Sequence, residues 1–303
     1  MNVIETSGLG KRYGDAWALR ECTLAIPAGH LAALVGPNGA GKTTLMNMTA
    51  GLAVPTAGTV AVLGGQPAGS PAALDGIAFV AQDAPVYGNL SGADMLHLTA
   101  NLNRSFDRGF ARARLAELGI GLKKKCGKLS GGQQAQLALT LALARRPRLL
   151  ILDEPLSALD PLARQDFLAT VMTAMADDGV SVLLSSHALA ELDRVADYLV
   201  VLSGGAVRLD GETDDVLARH RVLTGPAAEA DAYASQFHVV QDRRGAAQAH
   251  LLVRMPDPDA APARAGWEAH PVGLEELVLA YLRAPAPAAP SLVLHAEPTE
   301  VSR

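Results

Sequence analysis

The amino-acid sequence predicts an α/β fold with a parallel sheet, and three observations predict it. A short apolar run, Leu31 to Val35, leads through Gly36-Pro37-Asn38-Gly39-Ala40-Gly41-Lys42-Thr43-Thr44 into a helix start at Leu45-Met46-Asn47-Met48. A second apolar run, Leu149 to Leu152, ends in the paired acids Asp153-Glu154. Of the 303 residues, 49% are apolar and 4% aromatic, with Ala, Leu and Val carrying the apolar share.

A strand, a glycine-rich turn and a helix in that order form the context of a phosphate-binding loop. The glycines let backbone amides converge on an anion without Cβ clashes. The helix N-terminus adds partial positive charge. In such a loop Lys42 reaches the outer phosphates and the Thr43 hydroxyl ligates Mg²⁺.

The remaining elements follow in chain order. Val3 to Pro27 reads as short strands joined by tight turns. Tyr13 within it reads either as a strand aromatic on a core or as a ring that stacks on a base. Val54 to Val62 reads as a turn and then a strand, and Gly76 to Asp83 as a strand with a polar end. Gln82 is there a surface amide or a group beside a metal-bound phosphate at the mouth of a sheet. Leu90 to Leu118 is helical with a break near Asn103 to Asp107, and Lys123-Lys124-Lys125 reads as a solvated loop or helix end. Leu129-Ser130-Gly131-Gly132-Gln133 opens a helix that runs through Ala144. Ser130 suits its cap, and the glycines open its N-terminus, giving a second potential anion site.

Leu149 to Glu154 describes a central buried strand with acids at its C-terminal end, where open parallel sheets bind ligands. Asp153 would hold Mg²⁺, largely through water, and Glu154 would polarise a water for attack. After Ser157-Ala158-Leu159-Asp160, Pro161 suits a first helical turn. Val180 to Ser185 is a further apolar strand, followed by Ser186-His187 and a helix over Ala188 to Ala196. His187 follows the same strand-to-loop grammar as Gln82 and Asp153, which makes it a candidate for the catalytic face. Tyr198 to Leu202 and Ala206 to Leu209 read as a hairpin, and Thr213 to Leu217 as a short helix.

The net charge of −5 argues against a nucleic-acid partner held by a broad basic face. Cys22 and Cys126 lie far apart, which suits neither a disulfide framework nor a metal site and implies a reducing compartment. The N-terminus lacks a signal-peptide layout, and no run approaches the ~20 apolar residues of a membrane span. A membrane process would need another chain to supply the membrane part.

With these residues in view, the chain resembles the ATP-binding subunits of ABC transporters over about residues 3 to 220. Gly36 to Thr43 resembles the Walker A loop, with Thr44 next to it, and Gln82 the Q-loop glutamine. Leu129 to Gln133 matches the LSGGQ signature in full. Leu149 to Glu154 is similar to Walker B with its catalytic glutamate, Ser157 to Asp160 to the D-loop, and His187 to the switch histidine. Tyr13 falls at the adenine-stacking aromatic. The resemblance implies a P-loop NTPase of ABC type, with a RecA-like core, an antiparallel β subdomain and a helical signature subdomain. It implies ATP and Mg²⁺ as cofactors, with Thr43, Gln82 and Asp153 on the metal side. It also implies a head-to-tail homodimer or heterodimer in which Ser130, Gly131, Gly132 and Gln133 face the partner's ATP. The partner beyond that dimer is a transmembrane permease, approached from the cytoplasmic face. One position departs from the pattern: Gln136 stands where the family usually carries a basic residue. The break at Asn103 to Asp107 and the stretch Ala142 to Pro147 look closest to ATPases of ABC-2-type exporters.

Residues 221–283 lie outside this match and read as a small α+β accessory domain, with Leu274 to Leu282 as an amphipathic helix. The Pro/Ala-rich stretch 284–303 reads as a disordered tail. Two functions compete. The first is an ATPase that energises transport, in the export direction, through a separate permease. The alternative is a non-transport ABC ATPase with a mechanical or regulatory role. The single cassette, Glu154 and His187 favour the first.

Overall fold

A computed structural model of the chain describes residues 1–82, 86–157, 159–255 and 264–284. Strands β1 (Asn2–Tyr13) and β2 (Ala16–Pro27) form one long antiparallel hairpin rather than the several short strands expected. Within the stretch read as short strands joined by tight turns, Gly8 and Gly10 lie at register shifts inside β1. Glycine in a strand often marks such a bulge. The chain then enters β3 (Leu31–Val35), the glycine-rich loop and α1 (Lys42–Thr49). Strands β4 (Ala57–Val62) and β5 (Gln66–Pro67) complete a first sheet in the order β2-β1-β4-β5. Helix α2 (Pro71–Gly76) was not foreseen, and it takes Gly76 from the start of β6 (Ile77–Val80). The expected strand end at Asp83 lies outside the described residues.

Three helices follow. Helix α3 (Gly92–Leu102) starts at a capping box made by Ser91 and Asp94, and α4 (Arg108–Glu117) at the Asp107 cap. Helix α5 (Gly131–Leu143) starts at a capping box made by Ser130 and Gln133. Met95, Leu96, Ala111, Leu115, Leu137 and Leu141 join the three in one apolar cluster.

Strand β7 (Leu149–Asp153), α6 (Pro161–Asp178), β8 (Ser181–Ser185), α7 (Leu189–Leu192), β9 (Tyr198–Ser203) and β10 (Ala206–Glu212) build the central sheet. Its order is β10-β9-β3-β8-β7-β6, parallel except for the β10–β9 edge pair. All five residues of β3, of β7 and of β8 are buried. Leu150, Leu152, Val182 and Leu184 pack toward α5 and α6, while Leu149, Ile151 and Leu183 pack toward α1 and the first sheet. Burial on both faces explains why these strands read as unbroken apolar runs. Helix α7 is one turn long, not the nine residues expected from Ala188 to Ala196. The chain turns early to enter β9, where the Asp197 carboxylate accepts the Leu31 amide at 2.7 Å.

The last part begins with α8 (Thr213–Ala218), β11 (His220–Pro226), α9 (Ala230–Ala234), β12 (His238–Arg244) and β13 (Gln248–Arg254). It ends with β14 (Glu268–Pro271) and α10 (Leu274–Arg283). Its sheet runs β12-β13-β11-β14, antiparallel throughout. Strand β14 was not foreseen; it is short, fully exposed and ends in Pro, so it carries no alternation. One sheet face closes on α9 through Leu223, Tyr233, Leu251 and Trp267. Helix α10 turns the other way. Its Leu274, Leu277 and Val278 join the same core as Leu192, Leu199 and Val201. The Pro/Ala-rich tail lies outside the described residues beyond Ala284.

Candidate active site

The order of the central sheet brings the candidate residues together. Strand β3 pairs with β8, β8 with β7, and β7 with β6. Their C-terminal ends carry the glycine-rich loop, Ser186-His187, Asp153-Glu154 and Gln82, so four segments distant in sequence meet at one edge. An open cleft of about 730 Å³ lies there, lined by Tyr13, Ala18, Gly36 through Thr44, Gln82, Glu154 and His187.

Two glycines are needed for the shape of the loop. A Cβ on Gly36 would sit 2.2 Å from the Leu202 carbonyl oxygen, so the loop lies against β9. Gly41 has φ +103°, and a Cβ there would sit 2.6 Å from the Ala18 carbonyl oxygen. Lys42 begins α1, is 7% exposed, and its ammonium donates to the Gly36 carbonyl at 2.9 Å and the Pro37 carbonyl at 3.5 Å. It also lies 3.4 Å from Glu154 Oε1. The other Glu154 oxygen, Oε2, accepts from His187 Nδ1 at 2.7 Å. Glu154 is buried, whereas the His187 side chain is 65% exposed. Glu154 also has φ 49°, in the left-handed region, a conformation that costs about 1–3 kcal/mol in a non-glycine residue. Such strain is found where a side chain has to be aimed.

Ser185 organises this pair of acids, and sequence reasoning passed over it. Its hydroxyl donates to Asp153 Oδ1 at 2.7 Å and accepts the Glu154 amide at 2.8 Å. The sequence marks Ser185 only as the end of an apolar strand; the pairing of that strand with β7 sets it in register with Asp153. Asp153 itself is 2% exposed and lies behind the cleft wall, while Thr43 and Gln82 are exposed on it. Tyr13 is 53% exposed at the cleft mouth, with the Lys11 ammonium 5.2 Å from its ring centre. That exposure removes the alternative of a core aromatic.

The signature residues do not line the cleft, although Gly131 shares a smaller neighbouring pocket with Gln82. Ser130, Gly131, Gly132 and Gln133 are exposed or half-buried at the start of α5. The Ser130 hydroxyl accepts the Gln133 amide at 3.2 Å, and Gln133 Oε1 accepts the Ser130 amide at 3.3 Å. Ser157, Leu159 and Asp160 lie between β7 and α6, where Asp160 caps α6; Ala158 lies outside the described residues. Gln136 is 6% exposed, a position where a neutral amide is less costly to bury than a cation.

Nucleotide and metal can be weighed against these groups. A buried ammonium at the head of a glycine-shaped loop and helix suits a polyphosphate. The Thr43 hydroxyl, the Gln82 amide oxygen and the Asp153 carboxylate make an all-oxygen donor set, the kind Mg²⁺ prefers. Among the described residues no group of three or more His, Cys, Asp or Glu could hold a metal ion.

A family model described as ABC transporter matches residues 19–157, and one described as an AAA domain matches residues 125–193. The lantibiotic transport ATP-binding protein SrtF of Streptococcus pyogenes is 31% identical over 214 residues, covering 70% of this chain and 92% of that protein. The bacitracin transport ATP-binding protein BcrA of Enterococcus faecalis is 31% identical over 225 residues, covering 73% of each. The chain belongs to the ATP-binding subunit family of ABC transporters.

The Fe(3+) ions import ATP-binding protein FbpC 2 of Rhodococcus jostii (strain RHA1) is 37% identical over 227 residues, and the match spans 63% of its length. Among solved structures, an ATP-binding subunit of an ABC transporter aligns with TM-score 0.64 and 28% identity, covering 71% of this chain and 91% of that one. A bacterial ABC transporter cassette solved as a dimer aligns with TM-score 0.61 and 25% identity, covering 69% of this chain and 98% of that one. The fold is therefore that of an ABC cassette: P-loop core, antiparallel sheet and helical unit.

Proposed function

We propose that this ABC subunit binds ATP with Mg²⁺, hydrolyses it, and thereby energises transport through a separate transmembrane permease. The observation that carries the reading is the triad in one cleft: Glu154 is 3.4 Å from Lys42 and 2.7 Å from His187. ATP supplies the phosphoanhydride that is cleaved. Lys42 and the loop amides from Asn38 to Thr44 hold its phosphates, and the Tyr13 ring takes the base. Thr43, Gln82 and Asp153 serve the metal, with Ser185 fixing the Asp153 carboxylate. Glu154 takes the proton of the attacking water, and His187 holds the Glu154 carboxylate in place.

The exposed signature, which lines none of its own cleft, supports a head-to-tail dimer in which it meets the partner's phosphates. The related cassette solved as a dimer supports the same arrangement. Homodimer and heterodimer both fit. Among the described residues no helix is long and apolar enough to cross a membrane, which supports a peripheral subunit bound to a permease on the cytoplasmic face. Relatives named for iron import and for bacitracin transport support the transport role, and the exporter-like segments favour export. The net charge of −5 supports a function without nucleic acid.

The test uses two variants. Lys42→Ala is expected to keep its fold and lose most ATP binding. Glu154→Gln is expected to bind ATP and to hydrolyse it about 10²–10⁴-fold more slowly. Wild-type ATP affinity in the first, or wild-type turnover in the second, contradicts the reading. For transport, the tagged subunit should retrieve a transmembrane protein from detergent-solubilised membranes.

A further inference from the structure

Helix α7 follows His187 closely and is one turn long, too short to be stable without outside contacts. The His187 side chain is 65% exposed, so packing does little to fix its ring. Leu192 anchors α7 on one side, buried in the same apolar cluster as Leu277 of α10. An ion pair anchors it on another. Arg164 Nη1 donates to Glu191 Oε1 at 2.7 Å, and both side chains are half-buried. The second Glu191 oxygen, Oε2, is buried with no hydrogen-bond partner among the described residues, so this carboxylate depends on Arg164.

Arg164 also reaches the segment that leaves Glu154. Its Nε donates to the Leu159 carbonyl at 2.8 Å. That segment is tied to Glu154 in turn, since the Ser157 hydroxyl donates to the Glu154 carbonyl at 2.9 Å. A closed circuit results. It runs from Glu154 along the chain to Leu159, across the guanidinium to Glu191, and back along the chain to His187. His187 Nδ1 closes it, 2.7 Å from Glu154 Oε2. Arg164 stands in the first turn of α6, where the helix dipole disfavours a cation. Its value there lies in the two acceptors it joins. A guanidinium suits that task, because its rigid fork fixes one acceptor relative to the other.

We propose that Arg164 is a positioning residue for ATP hydrolysis: by joining Leu159 to Glu191 it sets where His187 meets Glu154. This rests on the roles of Glu154 and His187 proposed above. Arg164 lines no part of the nucleotide cleft, so it acts through His187 and not on ATP.

The test is ATP hydrolysis and ATP binding by the full chain. Arg164→Ala is expected to lower kcat by about ten- to a hundredfold, the effect of a small misplacement of a catalytic group. ATP affinity should change little, because no group that binds nucleotide is removed. Glu191→Ala should match it, and the two together should be no worse than either, since both break one link. On a His187→Ala background Arg164→Ala should add little, for the same reason. Should Arg164→Ala fail to fold, Arg164→Lys decides: it keeps the charge but lacks the fork, so a comparable loss of kcat is expected. A wild-type kcat in the folded Arg164 variants, with Glu154→Gln slowed, overturns the proposal and leaves the role of Glu154 intact. A full further loss on the His187→Ala background overturns it too, as does ATP binding that weakens in step with kcat; either would make Arg164 a structural residue. Wild-type turnover in Glu154→Gln overturns both readings.

Discussion

The Tyr13 ring is half exposed at the cleft mouth, with the Lys11 ammonium over it and that ammonium in turn donating to the Val54 carbonyl at 2.7 Å. A ring held this way contributes little to any core, so replacing it should leave the fold intact. Stacking on a base is worth about 1–3 kcal/mol. Tyr13→Ala is therefore expected to weaken ATP binding by roughly ten- to a hundredfold, and Tyr13→Phe to change it little, as titration calorimetry would show. Normal affinity in the alanine variant would remove the ring from the site. Single residues were legible in the sequence where chemistry dictates the side-chain type. Glu154 could be picked out because a buried strand end has little use for charge, Lys42 because it closes a glycine-rich loop before a helix, and His187 because it follows a strand in the same way as Gln82 and Asp153. Ser185 could not, because a hydroxyl at a strand end has many structural uses. Only the register of β7 against β8 reveals that it holds both acids.

At the scale of elements, the buried parallel strands were the most legible, because burial on both faces leaves a dense apolar run. The elements that escaped notice or came out with other lengths are those governed by local geometry. Glycine bulges lengthened β1, an early turn shortened α7, and β14 is exposed along its whole length. The joint between α8, β11 and α10 was also hidden, since it depends on a contact across 61 positions. There His220, 1% exposed, donates from Nδ1 to the Val216 carbonyl at 2.7 Å and accepts the Tyr281 hydroxyl at Nε2 at 2.8 Å. Burial holds the His220 pKa below the usual histidine value, and the nearby Arg254 and His238 lower it further. The unfolded chain thus binds a proton more readily than the folded one. The stability this site contributes is present above about pH 6.5 and is lost as the pH falls below it. Thermal melts are expected to show stability declining from pH 7.5 to 5.5, with a shallower decline in His220→Gln. An equal slope in the variant would show that other groups set the pH dependence.

For the whole molecule, the central fact is a separation. The chain presents a phosphate loop with its candidate base in one cleft, and a second candidate anion site, the start of α5, that lines none of that cleft. Neither the sequence nor one chain by itself joins the two; a second copy or a similar chain can. With Glu154→Gln slowing hydrolysis, the γ-phosphate would keep bridging two chains, whereas ADP lacks the bridging group. Blocking the signature should abolish the effect. The backbone at Gly132 has room for a Cβ, which would meet only Ala163 Cβ at 3.4 Å. Loss of the Ser130 cap costs about 0.5–2 kcal/mol of helix stability, so circular dichroism of the variant is compared with that of Glu154→Gln. The measurement that tests the account most directly is the mass of Glu154→Gln by light scattering in ATP and in ADP, with and without Ser130→Ala and Gly132→Trp. The account predicts a dimer in ATP, a monomer in ADP, and a monomer in ATP once the signature is blocked. A monomer in ATP with the signature intact, or a dimer that persists after the signature is blocked, would contradict it.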